Sequence, residues 1–408
     1  MKKRLKCFLL CCVMLLSGCQ NSEQYHMSDD AGSSISLAET GNTSASGGML
    51  PEAAGPAAEQ VIEADPVVAE ELLNGIDIQK IYYGPAGTLL VDTSDTLYWY
   101  DMNSACALAQ RPAEDWLGVE YHSIENGFCA VGELARTEGT EGFSLGTVST
   151  VCIFYDKALQ ETGRLILNDL GNGVDYVRSA AVSRDGDAIA YCTMDKLYCY
   201  DCTADTVKLV LDFNFDQIEL NKGLSSISAL FFSPEGDKLL FSGSTFSLPV
   251  STGQYSFLTY GCVSLDGGDL QNLPFQNFEA GSMAGAAGGY LFFEESMTSA
   301  SGKIAVVNSS DMGQQVYSLG TASEGESGVF CSQNGDYYAT VNSETDQCFI
   351  RIYSRETGEL VTAQVVVEEN DEYYYRTPAI YILDDLGLCI VKLGGFSGIP
   401  SKVAAFSL

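Results

Sequence analysis

Histidine is scarce in this chain: only His26 and His122 occur among its 408 residues. A serine or cysteine nucleophile needs a neighbouring base, so triad chemistry has almost no material to work with. Neither His-Glu-x-x-His, a Walker loop nor an EF-hand loop is found. Nothing in the sequence therefore calls for a metal or an organic cofactor. Carboxylates are the one abundant chemical resource, with 54 acidic against 21 basic residues. Two carboxyl groups flanking a glycosidic bond can hydrolyse it without histidine, but among so many acids spacing alone singles out no pair. The chain is read as non-enzymatic, with a carboxylate-based, glycan-active enzyme as the alternative.

Fourteen cysteines would suggest a disulfide framework in a short secreted protein. Here, however, they are spread along the whole chain. Cys129, Cys152, Cys192, Cys262 and Cys389 each stand inside an apolar, strand-like run, where a thiol behaves as a small hydrophobe. Cys199-Tyr-Asp-Cys202 has the Cys-x-x-Cys spacing, yet no second pair completes a zinc site and no thioredoxin-like pattern surrounds it.

One cysteine reads differently. The N-terminus runs from a basic start (Lys2, Lys3, Arg4, Lys6) through an apolar stretch from Cys7 to Leu16 to the small residues Ser17 and Gly18. That stretch is about half the length a membrane-spanning helix requires, so residues 1–18 are expected to be an export signal. Leu16-Ser17-Gly18-Cys19 resembles a bacterial lipobox, and the resemblance implies cleavage before Cys19 and a diacylglyceryl group on its sulfur. Two such acyl chains would contribute on the order of 20 kcal/mol to membrane attachment. The expected location is thus extracytoplasmic, lipid-anchored to the cell membrane, or to the outer membrane where one exists. Gln20 in place of aspartate after the cysteine favours the outer membrane, by resemblance to known sorting signals.

Residues 19–75 read as a flexible acidic tether. Ser, Gly, Ala, Glu and Asp dominate, and no Lys or Arg occurs between Lys6 and Lys80. Such composition cannot offset the entropy of ordering, and a coil of this length spans about 40 Å end to end. A short helix is expected near Val67 to Leu73. The formal net charge is -33, which excludes nucleic acid as a natural partner.

From residue 76 to 408 an internal repeat takes over. Ser183-Arg-Asp-Gly-Asp187, Ser233-Pro-Glu-Gly-Asp237 and Ser332-Gln-Asn-Gly-Asp336 share one pattern, each followed by an apolar run. Each reads as strand, tight turn, strand, with glycine at the turn's left-handed position. Looser versions give turn glycines at 87, 127, 186, 236, 288, 335 and 387, a step of about 50 residues. Asp95-Thr-Leu-Tyr-Trp-Tyr-Asp101 recurs as Asp195-Lys-Leu-Tyr-Cys-Tyr-Asp201, marking a third strand in units one and three. Further third strands are expected at Val151 to Asp156, Ile304 to Asn308, Phe349 to Ser354 and Val403 to Ser407. Strands such as Leu97 to Tyr100 are apolar on both faces, as radially stacked blades require.

These units resemble the TolB-type, WD40-like propeller repeats, whose hallmark is Phe-Ser-Pro-Asp-Gly-Lys; Phe232-Ser-Pro-Glu-Gly-Asp237 is the nearest copy. The resemblance implies an all-β, seven-bladed β-propeller, with six or eight blades as alternatives, and a general binding role without a specified activity. Ser183-Arg-Asp-Gly has the wrong spacing for a sialidase Asp box. The last unit stops after its third strand, so a closing fourth strand is sought on the N-terminal side, within Gln60 to Val68.

In a propeller the connections from fourth to first strand and from second to third strand share one face. That face should carry Trp116, Asp115, Asp169, Asp216, Glu219 and the run from Glu368 to Arg376, which includes Glu369, Asp371 and Tyr374. Long second-to-third connections are expected at residues 132–149, 242–256 and 394–400. Trp116, Asp115, Asp216, Glu369, Asp371 and Tyr374 are the candidate ligand-binding residues. Aromatics among carboxylates suit a basic peptide, an envelope protein or a glycan. The expected function is protein or peptide binding, with a glycan-binding or glycan-cleaving surface protein as the alternative.

Overall fold

In the computed structural model the seven turn glycines all have positive φ, from 55° at Gly288 to 148° at Gly127. Each sits at the junction between the first and second strands of a separate antiparallel sheet. At Gly335 both handedness and space require the missing side chain, since φ is 76° and an added Cβ would lie 2.5 Å from the Ala287 carbonyl of the preceding sheet. The structure describes residues 65–408 apart from 75, 94, 136–147, 171–175, 247–255, 274, 277, 296–302, 319–325, 345–346, 369–377 and 395–400.

The chain forms a seven-bladed β-propeller. Six sheets hold four strands in sequential order and the seventh holds three. Blades one to seven span residues 78–112, 118–166, 179–212, 224–272, 280–318, 326–368 and 379–407. Thr96–Asp101 and Lys196–Asp201, the recurring tyrosine-rich segments, are third strands of blades one and three. The other expected third strands fall within Val148–Asp156, Lys303–Asn308, Gln347–Ser354 and Lys402–Ser407.

Burial on both faces of each sheet follows from the radial stacking. Every residue of Leu388–Leu393 is buried. Seven apolar clusters fill the boundaries between successive blades, and one of them joins blade seven to blade one, closing the ring. Each fully buried Leu, Ile or Phe contributes about 1.5–3 kcal/mol relative to exposure. The stacking of blades is therefore the main source of stability.

The serine of the repeated turn has a fixed task. Ser183, Ser233 and Ser332 each accept a hydrogen bond at Oγ from the backbone N–H five residues on, at 2.9, 3.1 and 3.0 Å. In blades three and four the hydroxyl donates to an aspartate of the same turn, Asp185 at 2.5 Å and Asp237 at 2.9 Å. In blade six, where asparagine replaces the first aspartate, Ser332 donates instead to Asp384 of blade seven at 2.5 Å.

Ring closure differs from the expected strand. Within Gln60 to Val68, residues 60–64 lie outside the described set, and from Pro66 the chain is helical: α1 spans Pro66–Asn74. Asp65 caps it by accepting the Val67 N–H at 2.9 Å, and proline suits the first helical position because its missing N–H would have no partner there. Ala69 and Leu73, one turn apart, bury against blades seven and one. The helix thus occupies the place of a fourth strand in blade seven. The Asn74 side-chain amide completes the substitution, donating to the Val403 carbonyl at 2.8 Å and accepting the Val403 N–H at 2.7 Å. Beside it, Ser401 Oγ donates to Ile76 O at 3.0 Å and accepts the Ile78 N–H at 2.9 Å.

A second tie crosses blade seven near the axis. The Tyr83 hydroxyl of blade one accepts the Ile382 N–H of blade seven at 2.8 Å and donates to the Cys331 carbonyl of blade six at 3.1 Å. Gln333 of blade six reaches back to the Gly84 carbonyl of blade one.

Candidate functional site

The first strand of each blade is innermost, so these strands ring a central channel. The tight glycine turns lie on one face, and the fourth-to-first and second-to-third connections on the other, here called the loop face.

Three successive fourth-to-first connections present acids there. Asp115 is exposed between blades one and two, Asp169 between blades two and three, and Asp216 with Glu219 between blades three and four. Asp169 ends the one-turn helix Leu167–Asp169, and Asp216 lies in the turn Phe215–Gln217. Such turns hold the carboxylates outward on short, locally bonded segments.

Trp116 is placed differently from its neighbour Asp115. Its ring is half-buried over Gly132 of blade two, where an added Cβ would meet the ring at 2.7 Å. The indole N–H and the Tyr121 hydroxyl are buried neighbours without a hydrogen bond of good geometry. Packing at the boundary of blades one and two accounts for most of this side chain. Cys19, Glu369, Asp371 and Tyr374 lie outside the described residues, as do most of the three long second-to-third connections.

Sequence reasoning did not single out the charged group at the loop-face end of the channel. Lys80 of blade one donates to both carboxylate oxygens of Glu120 in blade two, at 2.6 and 2.7 Å. Each occupies the third position of its first strand, so the register of adjacent blades brings them together. Both side chains are substantially exposed, and such a pair adds at most about 1 kcal/mol. Asp92 faces Lys80 across the strand pair. Burial pushes its carboxyl up to about 6, with Lys80 opposing the shift. His122 lies two residues beyond Glu120, and burial holds its imidazole below the ordinary range. Across the channel, Glu294 of blade five accepts from Ser282 at 2.8 Å and from the Val329 N–H of blade six at 2.7 Å. No spacing motif marks Lys80 and Glu120; they meet only because adjacent blades set their first strands side by side.

The arrangement offers charged and hydrogen-bonding groups at a channel mouth. Among the described residues, no group of three or more His, Cys, Asp and Glu could hold a metal ion. Among the described residues no disulfide is formed, and Cys129, Cys152, Cys192, Cys262 and Cys389 are buried in their strands. Cys199 is buried and Cys202 half-buried, with both thiols raised chiefly by burial, Cys202 to about 12.

A cavity of about 390 Å³ lies at the boundary of blades four and five, lined by Leu273, Phe275 and Gln276 of the connection between them and by Val307, Met312, Gln314 and Val316 of blade five. There the Gln314 amide brackets the backbone of Gln276, accepting its N–H at 3.1 Å and donating to its carbonyl at 3.3 Å. Among the described residues, no helix is long and apolar enough to cross a membrane.

No protein-family model matches the chain, and no curated protein does. Among solved structures it is similar to the β-propeller domain of Myceliophteria thermophila Cps50 (Swd1), at 11% identity and a TM-score of 0.49, over 81% of this chain and 97% of that one. It is also similar to Chaetomium thermophilum Raptor, at 8% identity and a TM-score of 0.46, over 82% of this chain and 28% of that one. Kluyveromyces lactis Hsv2p matches at 14% identity and a TM-score of 0.43, over 71% and 74% of the two chains. At these identities the likeness is one of fold alone.

Proposed function

We propose that the protein is a lipid-anchored, extracytoplasmic propeller that binds a protein or peptide through its loop face and catalyses no reaction. The carrying observation is the placement of Asp115, Asp169, Asp216 and Glu219 on three consecutive connections of a rigid ring, all exposed on one side. A field of carboxylates on a fixed scaffold attracts a basic segment and orients it on approach. Attachment through Cys19 follows from the lipobox resemblance of residues 16–19 and supplies the membrane partner.

Cross-linked enrichment from the native envelope tests the reading, with the intact chain compared against an Asp115→Ala/Asp216→Ala/Tyr374→Ala variant of unchanged thermal stability. A partner recovered only with the unaltered loop face supports it. Equal recovery with both chains would sink it, and selective retention of polysaccharide would move the reading to glycan recognition.

A further inference from the structure

Outer strands of propeller blades expose one unpaired backbone edge, and natural sheets guard such edges with charge, proline, short length or a covering element. The first three blades are guarded in this way. Cys106–Pro112 carries Arg111 and Pro112, Glu161–Ile166 carries Glu161 and Arg164, and Thr206–Asp212 carries Lys208 and Asp212. In blade four the outer strand is only Gln271–Asn272, in blade five it is the polar Gln314–Ser318, and the third strand of blade seven lies under α1.

Blade six lacks these guards. Its outer strand Leu360–Glu368, Leu-Val-Thr-Ala-Gln-Val-Val-Val-Glu, runs nine residues without proline or glycine and without a charge before Glu368. Leu360, Val361 and Val365 are 52%, 44% and 41% exposed. On its inner side the strand pairs with Gln347–Ser354. Bulges interrupt that register near each end and leave residues 362–365 as a regular, β-branched-rich stretch between them. An isolated surface leucine needs no explanation. An uncharged, strand-forming edge with three exposed apolar side chains, on a chain of net charge -33, does.

We infer that this edge receives an extended segment of another protein, added as a fifth strand, whose apolar core is flanked by basic residues. Backbone pairing would supply affinity and the alternating side chains selectivity. Charge decides between occupants. Glu356 and Glu359 are exposed in the turn that leads into the strand, the strand ends at Glu368, and Arg355 in that turn is already paired with Asp336 at 3.3 Å. Antiparallel pairing with a second copy, centred on Gln364, would bring the acidic start of one strand against Glu368 of the other. A segment with lysine or arginine at both ends meets the same carboxylates favourably. This edge lies on the circumference and is independent of the loop face.

The test is amide hydrogen exchange of the intact chain with an end-blocked nonapeptide, alternating valine and threonine with two lysines at each end. The same peptide with glutamates at the ends serves as control. The expected result is protection confined to residues 360–368, at least about tenfold weaker for the glutamate peptide and lost in a Val361→Lys/Val365→Lys variant of unchanged thermal stability. An Asp115→Ala/Asp216→Ala variant should keep that protection, so failure at this edge and failure of the loop-face reading are distinguishable. Absence of protection at millimolar peptide, equal protection by both peptides, or protection seated on the loop face would overturn the inference. Self-association abolished by the lysine pair would overturn it too, by assigning the edge to a second copy.

Discussion

Ser332 and Asp384 meet across the boundary of blades six and seven, hydroxyl to carboxylate, at 2.5 Å. The same carboxylate accepts the backbone N–H groups of Asn334 at 2.7 Å and Asp336 at 3.2 Å. One side chain of the last blade thereby completes the turn of the blade before it. Asp384→Ala should leave the hydrogen of the fully buried Ser332 hydroxyl and two backbone N–H groups without their acceptor and cost on the order of 2–4 kcal/mol, although Ser332 Oγ still accepts the Tyr337 N–H. Denaturant unfolding of Asp384→Ala, Ser332→Ala and the double variant would show coupling of about 1 kcal/mol or more; simple additivity would refute the linkage.

The helical latch makes a sharper prediction. In Asn74→Asp the acceptor for the Val403 N–H survives and the donor to the Val403 carbonyl is lost. Asn74→Ala loses both. The expected order of stability is parent, then aspartate, then alanine, with a total cost of about 1–3 kcal/mol in urea titrations. Equal stability of all three chains would show that apolar packing of Ala69 and Leu73 alone holds the helix.

Tyr83→Phe removes one oxygen and keeps the ring. It leaves the Ile382 N–H and the Cys331 carbonyl without the group that joins them. The cost should be about 1–3 kcal/mol. Its distinguishing sign is local, since exchange of the Ile382 amide should accelerate more than that of amides in blades two to four.

Asp92 predicts a pH dependence. Its carboxyl, raised by burial from 3.8 to about 6, binds its proton more tightly in the folded chain than in the unfolded one. The group therefore favours folding at low pH, and that contribution is lost as pH rises from about 4 to 6. Above this window the ionised group is a net cost. Asp92→Asn should accordingly be more stable than the parent near pH 8 by about 1–2 kcal/mol, the difference shrinking toward pH 4. A variant less stable than the parent at both pH values would show that the ionised carboxylate and Lys80 form a favourable pair instead.

The repeats were legible because turn chemistry is local. A glycine forced to positive φ and an apolar run after it fit within about ten residues, so seven copies could be counted from sequence, three of them with the serine hydroxyl that closes the turn. Ring closure was not legible for the opposite reason. Tyr83 and Cys331 are 248 positions apart, and nothing in either residue announces the other. Pro66 after Asp65 does carry a helix-start signal, which outweighs the strand propensity of the neighbouring valines. At the candidate site, Asp115 and Asp216 could be assigned to exposed connections from spacing alone. Trp116 could not be assigned a partner, because the glycine it covers belongs to a different strand. Lys80 and Glu120 became a pair only when adjacent blades set their first strands side by side.

The use of α1 in place of a closing strand also determines how the ring would carry mechanical load. Tension on the chain N-terminal to Asp65 reaches this nine-residue helix before any blade. Two hydrogen bonds from one asparagine and the burial of Ala69 and Leu73 resist it. A closing strand would share such a pull among several parallel backbone bonds. Here the element that seals the propeller is the first that tension would peel, so blade seven is where the ring would begin to open under force.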